Sequence, residues 1–100
     1  MKGYVLSPAA ERDLDEIWDY TSKKWGLSQA ERYIRIIQDT VIGLAAGTQV
    51  SQSAEDIRPG YRKAVVGMHV LFFKTTAETV DVIRILHQQM DLPSHLRESS

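Results

Sequence analysis

The chain has 100 residues, with 12 Lys and Arg against 13 Asp and Glu, for a net charge of −1 at neutral pH. A chain of that length holds a single hydrophobic core, and 43% apolar with 25% charged residues excludes a disordered or collagen-like protein. The absence of cysteine removes disulfides and thiolate chemistry, no apolar run approaches the ~20 residues of a membrane span, and no signal peptide is visible at the N-terminus, so the expected compartment is the cytoplasm.

Lys2 to Leu6 reads as a short strand closed by Ser7-Pro8. Ser7 can cap a helix, and Pro8 suits the first helical position, where its missing N–H would be unpaired anyway. The apolar stripe Leu14, Ile17, Trp18, Thr21 and Trp25 has helical spacing. It places both tryptophans in the core and Asp13, Asp15 and Glu16 on a solvated face. Gly26 ends this helix. Ser28-Gln29-Ala30-Glu31 has the form of a capping box. It opens a second helix with the stripe Ala30, Tyr33, Ile34, Ile37, Val41, Leu44 and Ala45, which ends at Gly47. The short junction predicts an antiparallel helical hairpin.

Thr48 to Asp56 is polar and reads as a loop, and Arg58-Pro59-Gly60 as a turn. Three strands follow: Tyr61 to Val66, His69 to Thr75 after a tight Gly67-Met68 turn, and Thr79 to His87. The adjacent apolar residues of Val70 to Phe73 suggest a sheet covered on both faces. The expected architecture is α+β, in the order strand, helix, helix, three strands. The first strand joins an antiparallel sheet, and the helical hairpin packs on one face. One domain is expected over residues 1–92, with a flexible tail over 93–100.

Few residues suggest chemistry. His69, His87 and His95 are the only histidines, and no HExxH pattern or other ligand cluster occurs. No metal, cofactor or catalytic set is therefore expected, and neither GxSxG nor a phosphate-binding glycine loop is present. Residues 58–90 concentrate Arg58, Arg62, Lys63, Lys74 and Arg84 against only Glu78 and Asp81. With His69 or His87 as proton donor, these cations could serve a metal-independent ribonuclease; otherwise they are strand charges that keep the sheet soluble. Arg84 interrupts the apolar run Val82 to Leu86. It is either paired, with Asp81 or an acid on a neighbouring strand, or directed at a partner. Tyr61 beside Arg62 is either packing or a stacking platform.

Several segments in this order resemble the ParE toxins of the RelE/ParE superfamily. Leu6 to Tyr20 resembles the family's first helix, and Trp25-Gly26 followed by Gln29 to Tyr33 its helical junction. Ile57 to Lys63 resembles its entry into the sheet, and Val82 to Asp91 its ending. The resemblance spans residues 4–92. It implies a type II toxin–antitoxin system in which a cognate antitoxin folds onto the toxin and binds operator DNA through its own N-terminal part, in a higher-order complex.

RelE-like members cut messenger RNA on the ribosome with basic residues and a tyrosine near the C-terminus. No tyrosine follows Tyr61 here, and Arg84 is followed by Ile85, Leu86, His87, Gln88 and Gln89. The ending points instead to ParE-like inhibition of DNA gyrase by protein contact, with no role for a membrane. Gln89 departs from the Arg of many relatives. The expected target contacts are Arg58, Tyr61, Arg62, Arg84, His87 and Met90. The alternatives are a RelE-like endoribonuclease using Arg62, Lys63, Arg84 and His87, or a degenerate toxin kept as antitoxin partner and corepressor.

Overall fold

The computed structural model describes residues 2–89. The expected tail over 93–100 and the expected contact Met90 lie outside the described residues. The elements are β1 (Gly3–Leu6), α1 (Pro8–Trp25), α2 (Leu27–Ala46), β2 (Gln52–Ser53), β3 (Arg62–Val66), β4 (His69–Thr75) and β5 (Thr79–His87). The fold is α+β, as expected, with one short strand added within the predicted loop. The strand order is β1-β5-β4-β3-β2. The sheet is mixed rather than wholly antiparallel: β1 runs parallel to β5, with Gly3 opposite Thr79 and Leu6 opposite Val82. The long connection that parallel neighbours require runs from β1 through the helical hairpin and then β2, β3 and β4 before reaching β5.

Local sequence sets the helix ends. The Ser7 hydroxyl accepts the Ala10 N–H at 3.0 Å, and Pro8 opens α1. The predicted capping box at Ser28 does not form. Instead Gly26, at φ 95° and ψ 166°, is both the end of α1 and the N-cap of α2. Its N–H donates to Ser22 and its carbonyl accepts from Ala30. An N-cap must be non-helical, and the chain reverses at Gly26, which leaves Ser28 already inside the first turn. The joint between the two helices is therefore one residue long.

Two apolar clusters sandwich the sheet. Ile17, Ile37, Val41, Leu71, Phe73, Val82 and Ile85 pack between the helices and one face. Tyr61, Val70, Phe72 and Leu86, with Ala54 from the preceding loop, pack on the other. The alternation of Val70, Leu71, Phe72 and Phe73 between the faces explains their uninterrupted burial. Burying each such large side chain contributes roughly 1.5–3 kcal/mol.

The β3–β4 hairpin is fastened to α2 at its tip. Tyr33 lies under Gly67, and its hydroxyl accepts the Met68 N–H at 3.0 Å. Gly67 sits at φ +58°, where a Cβ would come within 2.6 Å of the Tyr33 ring. Gly67→Ala is expected to lower unfolding free energy by roughly 2–4 kcal/mol, from left-handed strain and overpacking together. Gly3→Ala, whose Cβ would meet nothing within 4 Å, is the near-neutral control. Urea unfolding of both variants checks this.

Candidate functional site

The site begins where β1 runs out. β1 stops opposite Val82, and the start of α1 takes over the exposed edge of β5. The Ser7 N–H donates to the Val82 carbonyl at 2.9 Å, and the Ser7 hydroxyl to that of Ile83 at 2.7 Å. Further along α1, Asp13 Oδ2 accepts the Ile85 N–H at 2.9 Å. The same carboxylate holds Arg84 in a two-pronged ion pair, Nε to Oδ2 at 2.7 Å and Nη2 to Oδ1 at 3.0 Å. The side chains are only 8% (Asp13) and 14% (Arg84) exposed.

Asp13 is therefore buried rather than part of the solvated face expected from the sequence, and Arg84 pairs with α1 rather than with Asp81 or a strand neighbour. A signal was present in the sequence. Asp13 lies three residues after Ala10 and four before Ile17, on the face that is buried.

A register irregularity sits at the same place. Phe73 faces Val82, but Phe72 faces Arg84, which leaves Ile83 as an extra residue in β5. Such a bulge reverses the side-chain alternation beyond it. Continued without it, the pairing would set Leu86 opposite His69. With it, His87 faces His69, and the rings meet edge-on at 5.3 Å. His69 Nδ1 lies 2.6 Å from the Tyr33 hydroxyl, which also donates toward the Val66 carbonyl at 3.2 Å. His87 Nδ1 accepts the Gln89 N–H at 3.1 Å. Burial, reinforced by His87 and opposed by Asp13, pushes the His69 pKa down to about 4. Burial also raises that of Tyr33, against the Met68 N–H, so it remains a neutral phenol.

These residues form one end of a groove of about 730 Å³ between α1, the helical junction and the β3–β4 tip. Ile17 and Ile85 line it, together with three conspicuously exposed side chains: Tyr20 (62%), Trp25 (65%) and Met68 (57%). Leu27, 65% exposed, stands next to the junction. Trp25 is therefore not core, as its helical spacing suggested. α1 ends within a residue of it and leaves no facing layer. The Lys24 amine donates to the Tyr20 hydroxyl at 3.1 Å and lies 5.5 and 5.6 Å from the Tyr20 and Trp25 ring centroids.

The residues expected to contact a target are divided by the fold. His87 lines the groove, and Arg84 is anchored to Asp13 in its wall. Tyr61 is buried in the outer cluster, with Arg58 and Lys74 against its ring at 5.6 and 5.2 Å. Arg62 donates to the hydroxyl and carbonyl of Ser51 at 3.0 and 3.1 Å. None of Arg58, Tyr61 and Arg62 reaches the groove. Tyr33 and Trp25, which do, were hidden in the sequence as ordinary members of apolar stripes. Among the described residues no group of three or more His, Asp or Glu is placed to hold a metal.

Residues 4–92 match the family described as "ParE toxin of type II toxin-antitoxin system, parDE". "Toxin ParE1" of Mycobacterium tuberculosis is 48% identical over 94 residues, covering 93% of this chain and 96% of that protein. "Toxin ParE1" of Caulobacter vibrioides is 42% identical over 96 residues, covering 96% and 99%. A solved structure titled "Chromosomal ParDE TA system from P. aeruginosa" has the same fold, with a TM-score of 0.75 at 22% identity, covering 87% of this chain and 96% of that one.

Asp13→Ala leaves Arg84 and the Ile85 N–H without their shared acceptor and is expected to lose about 3 kcal/mol or more. Arg84→Ala is expected to lose less, because the carboxylate keeps the Ile85 N–H; chemical denaturation of both variants ranks them. His69 binds a proton more tightly unfolded, near pH 6.5, than folded, near 4. Its contribution is therefore present above pH 6.5 and is lost as pH falls toward 4. His69→Gln should flatten this part of the stability–pH curve between pH 6.5 and 4, measured as denaturation midpoints.

Proposed function

The chain belongs to the ParE toxin family of type II toxin–antitoxin systems, and from that membership we propose that it is a cytoplasmic protein-binding toxin held inactive by a cognate antitoxin. Released, it binds and inhibits DNA gyrase and so blocks replication, acting by contact rather than by turnover. The observation that carries this reading is the groove. Tyr20, Trp25 and Met68 present apolar surface to solvent around a concavity with fixed walls, and large apolar surface of this kind marks interaction sites. A disordered antitoxin segment would fold there as an amphipathic element, gaining apolar burial that offsets its ordering entropy. Operator DNA is bound through the antitoxin in a higher-order complex.

A RelE-like ribonuclease finds some support in the Tyr33–His69–His87 cluster. Two observations weigh against it. His69, with its pKa pushed to about 4, is a poor proton donor at neutral pH. Arg84 is committed to Asp13 rather than aimed at a phosphate.

The test combines target and partner. The purified chain is added to gyrase with supercoiled plasmid and, in parallel, to translating ribosomes. The expected result is gyrase inhibition with intact messenger RNA; codon-periodic RNA cuts would replace this reading with the ribonuclease. Silence in both assays with antitoxin binding retained would identify a degenerate toxin. Trp25→Ala should weaken antitoxin binding by at least tenfold, as truncation of an exposed aromatic anchor does, with the fold unchanged by circular dichroism.

A further inference from the structure

The bulge in β5 sets His69 and His87 directly opposite one another, and both line the groove half-buried. Each ring is bonded through Nδ1. His69 Nδ1 lies 2.6 Å from the Tyr33 hydroxyl, which also accepts the Met68 N–H at 3.0 Å and lies 3.2 Å from the Val66 carbonyl. A phenol has one proton and two lone pairs. All three contacts are hydrogen bonds together only when the phenol donates to Val66 and the His69 Nδ1 proton goes to the phenol oxygen. That tautomer leaves the lone pair of His69 on Nε2.

A neutral imidazole that gives its Nδ1 proton to an oxygen and keeps Nε2 for a ligand is the form in which histidine holds a metal ion. The opposite ring supplies a second nitrogen at a suitable span. Two imidazoles sharing one tetrahedral ion, at ~2.0–2.1 Å per bond, hold their ring centres about 5 Å apart. Here the centres are 5.3 Å apart, with the planes at 80°. His87 is the ring that turns to bring the two Nε2 atoms together. Its Nδ1 accepts the exposed Gln89 N–H at 3.1 Å, a bond that water replaces, and its ring proton then moves from Nε2 to Nδ1.

We propose that His69 and His87 form a two-nitrogen site for a divalent transition-metal ion such as zinc. Among the described residues no Asp or Glu completes a set of three with them, so the remaining positions on the ion belong to water. Imidazole donors suit zinc, copper and nickel, whereas magnesium and calcium take oxygen ligands. The ion joins the start of β4 to the end of β5, two points that only the folded chain brings together. It therefore binds the native state and stabilises it by mass action. The proposal does not depend on the antitoxin reading of the groove.

The experiment is calorimetric titration of the full chain, without an affinity tag, with zinc chloride at pH 7.5. Circular dichroism confirms the fold of each variant. The expected result is one ion per chain, with affinity unchanged in His95→Gln and lowered at least tenfold in both His69→Gln and His87→Gln. Loss of a partner one shell further out already costs about 10–100-fold. In the unaltered chain, nitrogen–proton correlation spectra of the imidazoles should show both Nε2 resonances shifting on addition of zinc, and these spectra decide if a histidine variant does not fold. No binding, full affinity retained in either His69→Gln or His87→Gln, equal affinity for magnesium, or a shift at one ring alone would overturn the proposal. None of these outcomes bears on antitoxin binding, so the two readings fail separately.

Discussion

One carboxylate organises the working end of this molecule. Asp13 reaches from α1 to the edge of β5 just past the end of β1, where it accepts a backbone N–H and two guanidinium N–H groups. It occupies the point where the strand carries one residue too many. A bulge leaves backbone groups without ladder partners, and Asp13 satisfies one of these while Ser7 satisfies its neighbour at Ile83. Everything beyond the bulge depends on it. His87 turns toward His69, Leu86 turns to the outer cluster, and Ile85 turns into the groove wall.

The groove follows from the same economy of local solutions. A single glycine joins the helices, so α1 and α2 diverge from one fixed point and leave Trp25 and Leu27 at an uncovered corner. Tyr33 rivets the opposite wall by binding the β3–β4 tip. Neither wall relies on a long loop, so the concavity exists before any partner arrives. Pre-formation of this kind lowers the ordering cost of association on this chain's side.

Charge plays a restrained part in this surface. The ion pair of Asp13 and Arg84 is internal, and the basic residues concentrated in the strand half are used structurally where the geometry is clear. Arg62 is bonded to Ser51, and Arg58 and Lys74 cover the Tyr61 ring. These cations suggested a phosphate-binding face because sequence records charge but not what neutralises or shields it. Arg84 was correctly conspicuous: a cation in an apolar strand needs an explanation. Its explanation lay 71 positions away, on a helix whose acidic residues all looked alike.

Periodicity and turn chemistry determined the helices, the Ser7 cap, the Gly67 hairpin and the two-sided burial of β4, because each rests on residues within a few positions of one another. The order of short motifs likewise marked the family from sequence alone. Three features required the tertiary structure: the parallel pairing of β1 with β5, the exposure of Trp25, and the meeting of Tyr33, His69 and His87. The physical reason is common to all three. Strand register, and whether a helix face finds a facing layer, are settled by contacts between distant segments, and a single bulge reverses which face a residue occupies without leaving a trace in the local pattern.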